Sequence, residues 1–188
     1  GSRSLERAQS AAQNVAKQTG SHSVSGLVNE EAASKAEVVA ISVPFSGLPD
    51  TLKTVKPSLQ PGQIVVNITV PLESAIGGRA THTLGVWAGS AGELVESMVP
   101  KGVKVVSAFN NVSADRLNDL SADIDCDIMV CGNDEEAKKI VMELVRDIPG
   151  ARAVDAGPLE NSRTIEQLTS LLVSLNIRHG VKSAGIWI

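Results

Sequence analysis

The chain has 188 residues, 43% apolar and 20% charged, with 17 Lys+Arg against 21 Asp+Glu. That balance supports one aliphatic core and excludes a disordered tail or a disulfide-stapled miniprotein. A formal charge of −4 with scattered cations leaves no basic stripe for nucleic acid, and 2% aromatics with no tyrosine preclude a generous stacking platform.

The chain opens Gly1-Ser2-Arg3 with no Met, which suggests that the numbering starts inside a longer protein; Gly-Ser also reads as a cloning remnant. A helix is expected from Leu5 to Lys17, a weak strand near Val24 to Leu27, and a helix from Glu30 to Lys35. A strand at Val38 to Val43, a helix at Leu48 to Val55 and a strand at Ile64 to Asn67 follow. The pattern continues with a helix at Gly92 to Met98 and strands at Val103 to Ser107 and Ile128 to Val130. Next comes a helix from Asp134 to Asp147, where Asn133 and Glu136 read as a capping box rather than a cation site, and then a strand at Arg152 to Val154. Ile165, Leu168, Leu171, Leu172 and Leu175 form a helical apolar stripe that suits packing on the chain's own sheet or on a second subunit.

Short apolar strands alternating with helices predict an α/β fold, an open doubly wound, mostly parallel sheet covered on both faces. A closed barrel would need roughly 250 residues. No apolar run is long enough to cross a membrane, and nothing at the start reads as a signal peptide. The only cysteines, Cys126 and Cys131, are five apart on one expected strand, so their thiols point to opposite faces; a reducing cytoplasm is expected.

In such sheets ligands bind beyond the carboxyl ends of the strands. Those ends read Ser42-Val43-Pro44-Phe45, Asn67-Ile68-Thr69, Ala108-Phe109-Asn110-Asn111 and Asp155-Ala156-Gly157-Pro158. Small and amide-bearing, they suit a flat heteroaromatic ligand, although each alone also fits ordinary turn chemistry. At the amino end Ser2, Arg3 and Ser4 precede a helix and bring hydroxyls, a guanidinium and free N–H groups into one volume, with Arg7 a turn further on. That combination suits a phosphate monoester; Ser4 as a plain helix cap is the competing reading.

No two of the 16 glycines are spaced G-x-G, so the dinucleotide fingerprint is absent. A preceding strand, turn and helix would supply it. Ser2-Arg3 would then stand where the ribose-selecting acid of an NAD site belongs, and Arg there favours NADP. His22, His82 and His179 are scattered without partners at ligand spacing, so no metal site is expected, and no G-x-S-x-G elbow occurs.

Taken together, Gly1-Ser2-Arg3, Ser42-Val43-Pro44, Val105 to Val112, Val130-Cys131-Gly132-Asn133-Asp134 and Asp155 to Arg163 resemble the NADPH-dependent reductases of the deazaflavin coenzyme F(420). The likeness runs along almost the whole chain and is weakest from Val70 to Gly92. It implies an NAD(P)-binding Rossmann-type fold at 1–155, lacking its first strand and glycine-rich turn, with a small helical segment at 156–188 that closes the substrate cleft. The implied activity is reversible hydride transfer between NADP(H) and the deazaflavin in a cytoplasmic homodimer.

On the same resemblance, Ser2 and Arg3, helped by Arg7, would hold the 2′-phosphate. Val43, Pro44, Asn67 and the main chain at Ala114 would follow the nucleotide toward the nicotinamide. Asn110, Asn111, Val112 and Ala184 would form the deazaflavin pocket. Many relatives carry His where this chain has Asn110. A ferric reductase-like NADP domain and a non-catalytic NADP-binding module are the alternatives.

Overall fold

The computed structural model describes residues 1–188 and builds them around a five-stranded sheet. The strands are β1 (Val38–Ile41), β2 (Ile64–Asn67), β3 (Lys104–Ser107), β4 (Cys126–Gly132) and β5 (Ala151–Asp155). They lie in the order β1-β2-β3-β4-β5. β1, β2 and β3 are mutually parallel, β4 meets β3 antiparallel, and β5 is parallel to β4.

The helices are α1 (Leu5–Thr19), α2 (Asn29–Lys35), α3 (Leu48–Val55), α4 (Ala91–Met98), α5 (Ala114–Asn118), α6 (Glu135–Arg146) and α7 (Ser162–His179). Right-handed crossovers that step the same way along a parallel sheet put their helices on one face. Accordingly Ala33 of α2, Leu48, Leu52 and Val55 of α3, and Leu94 and Val95 of α4 bury Val65 and Val105 from one side. Reversal of strand direction at β4 sends the next crossover to the other face. There Ala137, Val141 and Val145 of α6 cover Ile64, Val66, Val106, Ile128 and Val130. β2 is buried along its whole length, which explains its unbroken apolar run.

The segment 24–27 is not a strand. Only a single parallel bridge forms, Ser2 to Val28, with Ser2 N donating to Leu27 O (3.2 Å) and Asn29 N to Ser2 O (3.0 Å). The chain there passes too close to α1 for regular pairing with side chains. A Cβ at Gly26 would stand 2.3 Å from the Ala8 backbone, so only glycine fits. The cap of α6 also differs from expectation. Asp134, not Asn133, accepts from Ala137 N (2.9 Å), while Asn133 donates to Glu96 (3.0 Å) and accepts from Leu159 N (3.0 Å). Both cysteines are free and buried, and burial pushes the Cys131 thiol up to about 12.

Candidate functional site

The carboxyl ends of β1, β2 and β3 finish in register, Ile41 beside Asn67 beside Ser107. Beyond them the polar side chains form a closed network. Asn67 Nδ2 donates to Thr69 O (3.2 Å) and Ser107 Oγ (3.3 Å), and Asn67 Oδ1 accepts from Thr69 N (3.2 Å). Thr69 Oγ1 donates to Val43 O (3.1 Å), Ser107 Oγ to Asn110 Oδ1 (3.0 Å), and Asn110 Nδ2 to Thr69 O (3.2 Å). Asn67, Thr69, Ser107 and Asn110 are all buried, and these bonds offset the cost of removing them from water.

The turn that follows β3 is held in an uncommon shape. Phe109 has φ 65°, in the left-handed region that L side chains seldom adopt. It is over-determined from several sides, as strained segments at functional sites are. Thr169 Oγ1 of α7 donates to Asn110 O (2.7 Å). Asn111 acts as a one-residue strand: its Nδ2 donates to Asp127 O (2.6 Å) and its Oδ1 accepts from Met129 N (3.2 Å), pairing the open start of β4. Val112 packs half-buried on the α6 side of the core. Ala114 opens α5 and is exposed.

The amino-terminal side is built differently. Gly1, Ser2 and Arg3 meet Val43, Pro44 and Gly47 around a cleft of about 540 Å³. Ser4 caps α1, accepting from Arg7 N (3.4 Å), and Ser2 Oγ accepts from Ser4 N (3.4 Å). The capping reading therefore holds. It leaves the exposed Arg3 guanidinium without an ion pair on the cleft wall. Arg7 does not share this cleft and lines a separate depression with Ser4, Ser10 and Asn14. A second cavity of about 260 Å³ runs along β1 from Val38 to Val43, with Gly1 on its rim.

Of the four strand ends expected to share one edge, three do. Asp155-Ala156-Gly157-Pro158 lies at the opposite edge, because β4 runs against β3 and carries β5 with it. Strand direction is invisible in hydropathy. What completes the site edge instead is the start of β4 and the tail. Ala184 N donates to Asn176 Oδ1 of α7 (2.7 Å), and Asp127 N donates to Ile186 O (2.8 Å). Arg152 grips the buried Asp127 carboxylate with two bonds, Nε to Oδ1 (2.6 Å) and Nη2 to Oδ2 (2.7 Å), and holds it below the usual carboxylate range. The signal for Asp127 was an acid inside an apolar strand, Cys126-Asp127-Ile128.

Glu166 was a second signal, an acid beside Ile165 on the apolar stripe of α7. It is 2% exposed and accepts from Ala91 N (2.9 Å) and Gly92 N (3.1 Å) at the start of α4. Burial pushes its carboxyl up to about 7 against the pull of those two N–H groups. Nearby, Ser90 and Ser162 hydroxyls share a bond (2.7 Å), and Arg163 Nε donates to Glu93 (2.8 Å), whose carboxyl it keeps low. No three His, Cys, Asp or Glu side chains converge in a geometry for a metal ion. No helix is long and apolar enough to cross a membrane.

The family model described as NADP oxidoreductase coenzyme F420-dependent matches residues 1–71. The F420-dependent NADP reductase of Methanocaldococcus jannaschii is 47% identical over 190 residues, covering 99% of this chain and 84% of that protein. The chain belongs to the F420-dependent NADP reductase family. The Methanothermobacter marburgensis F420-dependent NADP reductase is 40% identical over 189 residues, again with 99% of this chain and 84% of the relative covered. In fold, the chain is similar to a structure titled as a putative F420 dependent NADP-reductase from Arthrobacter, with TM-score 0.82, 24% identity, and coverage of 100% of this chain and 86% of that one. The family model thus reaches the cleft at Arg3 and Asn67, while the alignments with the two reductases also span Asn110, Asn111 and α7.

Proposed function

We propose that the chain transfers hydride reversibly between NADP(H) and the deazaflavin, with Ser2 and Arg3 gripping the nucleotide's 2′-phosphate. Family membership makes it an oxidoreductase whose substrates are NADP and coenzyme F420. The observation that carries the assignment of ends is the meeting of Arg3 and Ser2 with Val43 and Pro44 around one cleft, in a chain otherwise net negative. A planar guanidinium fork and a hydroxyl suit a phosphate monoester and stand on a wall that also carries Asp50, and the 15-residue α1 starts just beyond Arg3 without lining the cleft. Arg7, a turn along α1, adds positive field at that helix end without lining the cleft.

When both ligands are bound, the hydride moves between the nicotinamide and deazaflavin rings, and the chain's task is to set distance and exclude water. Val43 and Pro44 present a small, stiff wall on the nucleotide path. Asn67 acts through its neighbours, fixing Thr69 and Asn110, because its own amide is spent internally. The main chain at Ala114 receives the carboxamide. Asn110 and Asn111 shape the deazaflavin side as locked amides whose main chain and turn geometry do the contacting, which removes any need for an imidazole at position 110. Val112 and Ala184 close that pocket, so residues 156–188 act as the closing segment on the Rossmann part at 1–155.

Exposed Leu171, Leu175 and Ile177 on α7 support a homodimer, and two free, buried cysteines support a cytoplasmic setting. Titrating the full-length protein, of which residues 1–188 without the first strand and glycine-rich turn are expected to bind NADP weakly or not at all, with NADPH and the deazaflavin tests the function: saturable NADPH oxidation is expected. NADPH binding without turnover would favour a non-catalytic module, and electron delivery to ferric iron but not to the deazaflavin would favour the ferric reductase-like alternative. Light scattering at micromolar concentration tests the dimer.

A further inference from the structure

The tail from Lys182 to Ile188 is tied down along its length. Ser113 Oγ donates to Lys182 O (3.4 Å), Ala184 N to Asn176 Oδ1 (2.7 Å), and Asp127 N to Ile186 O (2.8 Å). Ile188 N donates to Asp127 Oδ2 (2.7 Å), and Arg152 Nη2 donates to Ile188 O (2.7 Å). The Arg152 guanidinium also lies over the Trp187 ring, 4.9 Å from its centre. A buried carboxylate is costly unless neutralised and fully hydrogen-bonded. Asp127, with its side chain fully buried, meets that condition only through the Arg152 fork and the tail's own N–H. Its carbonyl meanwhile takes the Asn111 amide (2.6 Å). One residue is therefore bonded both to the tail and to the turn after β3.

We propose that Asp127 and Arg152 are positioning residues for the deazaflavin: they strap the tail at Ile186 and Ile188 to the strand start that also holds Asn111, and so fix the tail segment that carries Ala184. The inference rests on the deazaflavin-side reading of Ala184, Asn111 and Val112. Neither Asp127 nor Arg152 touches substrate. They act through the tail, as a bidentate pair whose geometry lysine cannot reproduce.

The test uses the full chain in a Trp87→Phe background, which leaves Trp187 as the sole indole. Arg152→Met keeps an apolar stem against Trp187 and removes the fork. It is expected to raise the KM for coenzyme F420 about tenfold, because a freed tail must be ordered again each time the deazaflavin binds. The KM for NADPH should stay within about twofold. Trp187 emission should shift and amide exchange across 184–188 should rise. Arg152→Lys should recover part of the F420 KM, and Asp127→Asn, nearly isosteric, should repeat the Met pattern if it folds.

Freed amides at 184–188 with an unchanged F420 KM would overturn the positioning role, as would equal rises in both KM values. Unchanged exchange and emission would overturn the strap itself. Failure of the unsubstituted full-length protein to oxidise NADPH with coenzyme F420 would overturn the function and this role with it, and is read before any variant is made.

Discussion

The two halves of the site edge are built on opposite principles. Around Gly1 to Arg3 and Val43 to Gly47 the cleft is open, and Arg3 has donors to spare. Around Asn67, Ser107, Asn110 and Asn111 nearly every side-chain donor and acceptor is already matched inside the protein, and the residues are buried. A phosphate is recognised by charge and can be met by a flexible guanidinium in water. A flat ring that must hold a reacting carbon at a set distance needs a wall that does not move, and a fully satisfied polar network supplies rigidity. On the proposed reading, the open half selects and the closed half positions.

The contrast breaks most visibly at Ala184. Ala184→Trp should abolish deazaflavin turnover by filling the pocket while NADPH binding, measured by fluorescence titration, is retained; loss of both would mean the two halves are not separable. The next largest effect is on stability and concerns Glu166. Its carboxyl titrates near 7 in the folded chain against an ordinary 4.5, so the unfolded chain ionises first as pH rises. The stabilisation is complete below about pH 4.5, drains away as pH climbs to about 7 and is flat above, a change of roughly 3 kcal/mol. Thermal melts of Glu166→Gln should lose that slope. Asp127, Asp134, Asp155 and Glu93, all held low by hydrogen-bonded partners, act in the opposite sense and only at lower pH, so the two windows are distinct.

Asn110→Ala comes next. It removes two buried hydrogen bonds, those of Ser107 Oγ and Thr69 O to the Asn110 amide, and leaves both atoms only their bonds with Asn67, at a cost of about 2 kcal/mol in denaturant titration. If the closed half is a scaffold, the deazaflavin KM and kcat should worsen more than the NADPH KM; the reverse ranking would assign Asn110 to the nucleotide. The smallest effect is expected at the open half. Arg3→Ala should raise the NADPH KM about tenfold and narrow the preference over NADH, with kcat little changed, because the contact is made equally in ground and transition states. An unchanged preference would remove the phosphate from that cleft.

Much of the fold was legible because apolar period and turn residues act locally. β2 at Ile64–Asn67 and α3 at Leu48–Val55 coincide with the expected segments, α6 differs only at its ends, and α7 carries the expected stripe from Ile165 to Leu175. The weak strand at 24–27 misread a stretch whose conformation is dictated by α1 passing over Gly26. Asn133 and Asp134 are both good caps, and only the docking of Glu96 and Leu159 against Asn133 decides between them.

Residue type alone determined that this chain forms an aliphatic α/β sheet with amides at its strand tips and a cation beside a helix start. Hydrophobic period and capping chemistry depend on neighbours a few residues away. Tertiary structure alone decided that β4 reverses, that the Asp155 end leaves the site, and that Asp127, Arg152 and the tail replace it. Those contacts join residues 25 to 61 positions apart, and no local pattern encodes which partner a buried charge will find.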